Sequence, residues 1–197
     1  TYDLGIAGDY IYSAGWASGI RRYNYITNTN WEIIPLPMDL DTHLVCGDID
    51  ISTYQLNPLD PVNGGSHNHK GFSVYYDSEY IWVGTANGIN RGTIRSECID
   101  WVHYTSAWDN ISGNWVIGFM HQEYNTHTRL WAITWSTSGQ GEFSALSYTD
   151  NSGETWGTVM PAGIPEKVYN LYSDSSSVWA STESGLYYTY DQLTWNK

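Results

Sequence analysis

The sequence predicts an all-β chain of four consecutive antiparallel units, and three observations carry that prediction. A short apolar strand centred on an aromatic residue recurs four times along the 197 residues. The aromatic content is 16%, with 11 Trp and 17 Tyr against 3 Phe, which suits half-buried pleated strands better than helices. Gly, Asn, Ser and Thr supply turns between the strands, and no Ala/Leu/Glu/Lys stretch with 3.6-residue spacing competes.

The recurring strand reads Ile11-Tyr12-Ser13-Ala14-Gly15, Ile81-Trp82-Val83-Gly84-Thr85, Leu130-Trp131-Ala132-Ile133-Thr134 and Val178-Trp179-Ala180-Ser181-Thr182. A polar turn precedes each copy: Gly8-Asp9-Tyr10, Asp77-Ser78-Glu79, residues 125–129 and residues 173–177. After three copies a Gly-apolar step opens the next strand, at Gly19-Ile20, Gly88-Ile89 and Gly185-Leu186. The third unit reaches its equivalent strand, residues 144–149, through a longer turn at Ser138-Gly139-Gln140-Gly141. Each unit then closes on a tryptophan: Trp31, Trp101, Trp156 and Trp195. An upstream strand also repeats, at residues 111–119 and 164–171, which makes four strands per unit.

Trp82 and Trp131 are 49 residues apart, and Trp131 and Trp179 are 48 apart. A repeat of roughly 40–50 residues is that of a four-stranded β-propeller blade. Tyr12 and Trp82 are 70 apart, so the first interval holds an insertion. The units are therefore blade 1 at 1–37, an insertion at 38–67, blade 2 at 68–106, blade 3 at 110–160 and blade 4 at 163–197. Pro35 and Pro37 place the end of blade 1 at a sheet edge or in a connection.

Tyr148-Thr149-Asp150-Asn151-Ser152-Gly153-Glu154-Thr155-Trp156 resembles the Asp-box, or BNR repeat, of sialidase-type propellers. The resemblance implies a structural turn in which Asp150 caps backbone N–H groups, Gly153 takes positive φ, and Thr155 and Trp156 complete the motif with the indole packed between sheets. Blade 4 carries a shorter version, Thr189 to Trp195, without the glycine. Ile81-Trp82-Val83-Gly84-Thr85-Ala86-Asn87-Gly88-Ile89-Asn90-Arg91 is instead similar to the repeats of two-component regulator propellers. Both repeat types occur in proteins of many functions, so they imply a fold and not an activity.

The formal charge is −13, from 21 acidic against 8 basic residues, which opposes a nucleic-acid partner. No stretch approaches the roughly 20 apolar residues of a membrane helix, so no membrane insertion is expected within this segment. The low-Lys, Trp/Tyr/Asn/Ser-rich acidic composition points to an extracellular or cell-surface setting. Cys46 and Cys98 allow one disulfide or two thiols, and nothing in the sequence chooses between them.

The marker aromatics are expected to pack between blades, whereas the off-repeat Trp16, Trp108 and Trp135 are the candidates for a ligand, with carbohydrate the class that flat rings suit. In the insertion, alternation in a strand would put Asp48 and Asp50 on one face, and His67 and His69 likewise, so the four are the candidate metal ligands. Carboxylates favour Ca²⁺ and imidazoles a transition metal, and without a ligand loop of known spacing no cofactor is assigned, Ca²⁺ being the one cation to test. The five arginines do not form the cluster a sialidase needs, and Arg21 and Arg22 should point to opposite faces of a strand. No spacing singles out an acid pair for a glycoside hydrolase.

The sequence thus reads first as a non-catalytic extracellular binding or scaffold module of a larger protein, partnered by the rest of that protein or by neighbouring chains. A glycan-active hydrolase fragment and the sensory ectodomain of a two-component receptor are the alternatives. Any ligand is expected at the propeller axis or at residues 38–70. Thr1 without a start signal, and an end at Lys197, read as an open arc of about half a seven- or eight-bladed ring rather than a closed four-bladed one.

Overall fold

The computed structural model describes residues 1–27, 30–124, 127–174 and 176–197. They form four antiparallel sheets and no α-helix; three of the sheets are meanders of sequential strands, and the fourth is a meander with one earlier strand added at its outer edge. The fold is that of propeller blades. Two compact units, Thr1–Tyr104 and Thr105–Lys197, hold two sheets each.

In the first unit, blade 1 consists of β1 (Asp3–Ala7), β2 (Tyr10–Gly15), β3 (Gly19–Asn24) and β4 (Glu32–Ile34). The insertion donates β5 (His43–Leu44), which pairs with the outer strand of blade 2. Blade 2 proper is β6 (Gly71–Tyr76), β7 (Ile81–Thr85), β8 (Gly88–Ile94) and β9 (Ile99–Tyr104), so its sheet has five strands where four were expected. Tyr12, Ile20 and Ile34 of blade 1 share one core cluster with Val74, Ile81, Val83, Ile99 and Trp101 of blade 2.

In the second unit, blade 3 is β10 (Trp115–Tyr124), β11 (His127–Trp135), β12 (Ala145–Thr149) and β13 (Gly157–Val159). Blade 4 has only β14 (Val168–Ser173), β15 (Val178–Thr182) and β16 (Gly185–Thr189). Its expected fourth strand is reduced to one bridge, Tyr188 to Asn196, closed by two hydrogen bonds of 2.8 Å. Of the turn anticipated at residues 125–129, Asn125 and Thr126 lie outside the described residues, and 127–129 belong to β11.

The repeat has a physical cause at each step. Gly19, Gly88 and Gly185 open the third strands at φ of 58°, 105° and 141°, where a Cβ is disfavoured. The first strands of blades 2, 3 and 4 each carry a register shift near their start, at Gly71/Ser73, Val116/Gly118 and Val168/Asn170. Tyr12, Trp82 and Trp131 are buried as the packing reading requires, while Trp179 is half-buried and stacks on Tyr188 at 4.9 Å. Asp77 caps its hairpin by accepting from the N–H of Glu79 and Tyr80 and from Trp82 Nε1 at 2.6 Å.

The turn of residues 149–156 is capped one residue later than expected. Asn151 Oδ1 accepts from Thr155 N–H at 3.0 Å, and Thr149 Oγ1 accepts from Gly153 N–H at 2.8 Å. Asp150 points elsewhere, into a two-pronged ion pair with Arg129 at 2.7 Å on each arm. Arg129 also lies over the Tyr148 ring at 3.8 Å. Gly153 has the positive φ anticipated, 88°, and Trp156 is buried. Blade 4 shows the same register: Asp191, the counterpart of Asn151, accepts from the N–H of Leu193 and Thr194.

Candidate functional site

Cys46 and Cys98 form a disulfide across a sequence separation of 52 residues, with Cα atoms 5.7 Å apart. It ties the insertion to the turn before β9, and Asp100 reinforces it by accepting from Cys46 N–H at 2.8 Å. Those hydrogen bonds, with Arg95 at 2.7 Å, hold the Asp100 carboxyl below its ordinary range.

The pinned segment faces the outer edge of blade 1 and leaves a groove of about 820 Å³ between them, inside the first unit. One wall is Arg21 and Arg22 on β3, Trp31 just before β4, Glu32, Ile33 and Ile34 on β4, and Tyr10 on β2. The other is Gly47, Ile49, Ile51 and Tyr54 of the insertion, with Ser96, Glu97 and Cys98. Arg22 is held in place: Nε donates to Glu32 Oε2 at 2.7 Å, Nη2 donates to the Glu97 carbonyl at 2.9 Å, and the guanidinium lies 4.9 Å over the Tyr10 ring. Trp31 rests on Tyr23 at 5.4 Å with nearly half its surface exposed. The groove therefore combines aromatic faces, aliphatic patches and polar groups, the mixture of a small-molecule site.

Tyr54 and His69 lock the insertion from beneath. Asn57 N–H donates to His69 Nδ1 at 3.2 Å, which leaves the proton on Nε2, within 3.2 Å of the Tyr54 hydroxyl. Burial pushes the Tyr54 hydroxyl up to about 12 and pushes the His69 imidazole down, so both are neutral near pH 7. Below them Asp39 accepts from Ser66 Oγ and from the N–H of His67 and Asn68. Asn68, fully buried, donates to the Pro37 carbonyl and exchanges hydrogen bonds with Asn90, while Thr85 Oγ1 donates to it.

The four metal candidates are not brought together. Residues 45–53 are turns rather than a strand, so Asp48 and Asp50 do not share a strand face: Asp48 accepts from Val45 N–H, and Asp50 accepts from Ser52. His67–His69 is a 3₁₀ turn, with His67 beside Asp60 at 3.7 Å and His69 buried on Tyr54. Among the described residues no three His, Cys, Asp or Glu side chains are grouped to hold a metal ion.

The three candidate tryptophans also lie away from the groove lining. Trp16, exposed, packs on Phe72 at 5.4 Å with Lys70 over its ring. Trp108 is nearly half exposed. Trp135 is half-buried and donates from Nε1 to the Val168 carbonyl at 2.7 Å. One wall of the groove, Gly47, Ile49, Ile51 and Tyr54, falls within the residues 38–70 where the sequence places a ligand, whereas Trp31 is expected there to pack and Arg21 has no ligand role. The signal in the sequence is the insertion itself, a long connection on a repeating scaffold.

No protein-family model and no curated protein matches the chain. Solved structures do match it in fold. Two are of the extracellular domain of one B. thetaiotaomicron protein, described as a one-component and as a hybrid two-component system. They are 16% and 15% identical, with TM-scores of 0.64 and 0.62 over 100% and 98% of this chain. The chain spans only 22% and 21% of their length. A computationally designed protein, Ika4, matches 96% of this chain and 89% of its own at a TM-score of 0.53 and 9% identity. These likenesses are of fold.

Proposed function

We propose that the chain is a non-catalytic binding segment of a longer extracellular protein, that its setting is a sensory ectodomain, and that the groove between blade 1 and the insertion is its ligand site. The observation that carries this reading is the groove itself, built by a long connection that a disulfide pins against a rigid sheet edge. The sensory setting is supported by the Gly-Thr and Gly-Ile pattern of residues 81–91 and by the extracellular domains among the fold neighbours. Rings of Trp31, Tyr10 and Tyr54 beside guanidinium and carboxylate groups suit a carbohydrate, whose flat faces stack while its hydroxyls bond.

Thermal-shift titration with cellohexaose, xylohexaose and other neutral oligosaccharides tests it. At least one should raise the melting temperature of the wild-type chain, and Ile51→Arg, an exposed substitution that fills the groove mouth, should abolish the rise without lowering the ligand-free melting temperature. A rise unaffected by Ile51→Arg, or release of reducing ends from the sugar, would refute the proposal.

A further inference from the structure

A second, smaller space adjoins the groove. It has a volume of about 30 Å³ and lies between the end of β4, the start of β9 and the segment that follows β5. All of its walls belong to the unit Thr1–Tyr104. Ile34 and Ile99, 3% and 5% exposed, are its most deeply buried residues, and the Cys46–Cys98 disulfide forms part of the wall. Ile34, Gly47, Ile49, Ile51, Glu97 and Cys98 line both the pocket and the groove, so the two spaces meet around one stretch of chain.

Their chemistry differs. The groove is lined by Arg21, Arg22, Glu32 and Tyr54 among others, whereas Glu97, itself exposed, is the only side chain lining the pocket that carries a nitrogen or oxygen atom. A water in the pocket would find few of the two to four polar partners it requires, which favours an occupant made of carbon. Left unfilled, the apolar walls forfeit their dispersion contacts on that side.

Size narrows the occupant. One water-sized sphere takes about 10–15 Å³, so the pocket holds two or three non-hydrogen atoms. The lone methyl of a methyl ether or a deoxy sugar would leave roughly half of it empty. A methyl joined to a carbonyl carbon fills it. Donors for the acyl oxygen are close by, because the backbone N–H groups of Gly47, Ile49 and Ile51 donate to no described residue. Gly47, at a φ of 94°, has nothing within 4 Å of where a Cβ would stand, which leaves room beside it.

We infer that the pocket is a subsite of the groove for an acetyl group carried by the bound saccharide, with the methyl against Ile34 and Ile99 and the acyl oxygen toward the N–H groups of residues 47–51. The inference rests on the reading of the groove as a carbohydrate site. N-acetyl and O-acetyl groups present the same methyl and carbonyl, and the two arms of the experiment separate them.

Isothermal titration of the wild-type chain compares two pairs of sugars: cellohexaose with chitohexaose, which carries an N-acetyl group in place of each 2-hydroxyl, and xylohexaose with O-acetylated xylohexaose. The acetylated member of at least one pair should bind about tenfold more tightly than its partner. A preference in the first pair assigns N-acetyl, and one in the second assigns O-acetyl. Val45, 52% exposed, lines the pocket but not the groove, so Val45→Phe should fill the pocket and bring that ratio to about one. The wild-type ratio is read first and needs no variant. Equal affinities within both pairs, or a preference that survives Val45→Phe, overturns the inference and leaves the groove reading standing. If none of the four sugars binds, the inference falls together with the carbohydrate reading of the groove.

Discussion

Removing the disulfide tests whether the insertion is held over blade 1 by the covalent bond or by its own packing. Replacing Cys46 and Cys98 together by serine opens a loop of 52 residues in the unfolded chain. The chain-entropy relation puts that at about 4 kcal/mol at 25 °C. The cost falls on the unit Thr1–Tyr104, for which 1 kcal/mol corresponds to roughly 4–8 °C, so its transition should drop by about 15 °C or more. Other contacts of the insertion include Asp100 to Cys46 N–H, the two-residue strand β5, His103 N–H to the Thr42 carbonyl, and the Tyr54–His69–Asn57 clasp. Calorimetry of the double-serine variant beside wild type, with and without reductant, measures the shift. Amide exchange should rise across residues 45–53 and stay unchanged in β14 and β15. A transition within about 2 °C of wild type, with unchanged exchange across residues 45–53, would show that packing alone holds the segment and would refute the disulfide as what positions that wall of the groove.

Three further outcomes follow from the same geometry. Asn68→Ala strands Asn90, Thr85 and the Pro37 carbonyl in a buried site, and should cost about 2–4 kcal/mol in urea denaturation, whereas Asn87→Ala, which removes one bond from a half-buried side chain to the Asp39 carbonyl, should cost less. Asn151→Ala should cost about 1 kcal/mol and Asn151→Asp much less, because the acceptor for Thr155 N–H is what caps the turn; equal losses from the two variants would move the cap elsewhere. Burial depresses the His69 pKa, so the unfolded state binds the extra proton as pH falls below its ordinary 6.5, and stability present above that value is lost on acidification toward the folded pKa. His69→Gln should flatten that part of the stability-versus-pH curve, and an unchanged curve would exclude His69 as its source.

The blade strands were legible because each has a local cause. The Gly-apolar step needs positive φ at Gly19, Gly88 and Gly185, and Tyr12, Trp82 and Trp131 fill equivalent core positions. The insertion misled for a physical reason. Asp48 and Asp50 alternate as strand residues would, yet short acidic side chains satisfy nearby backbone N–H groups at least as well, and here they close turns. The same competition explains the shifted register at 149–156, where Asn151 caps and Asp150 is drawn to the buried Arg129. The groove was the least legible feature. It depends on bringing Cys46 to Cys98 and residues 47–54 to β4, and nothing local in the sequence records that approach.

The most direct test of the account is to titrate the isotope-labelled chain with the oligosaccharide that gives the largest thermal shift, following amide and indole resonances and recovering the sugar for mass analysis. The account predicts perturbations at Trp31, Ile51, Tyr54 and Glu97 with the sugar recovered intact. Perturbations centred on Trp16, Trp108 or Trp135, or a sugar returned as shorter fragments, would contradict it.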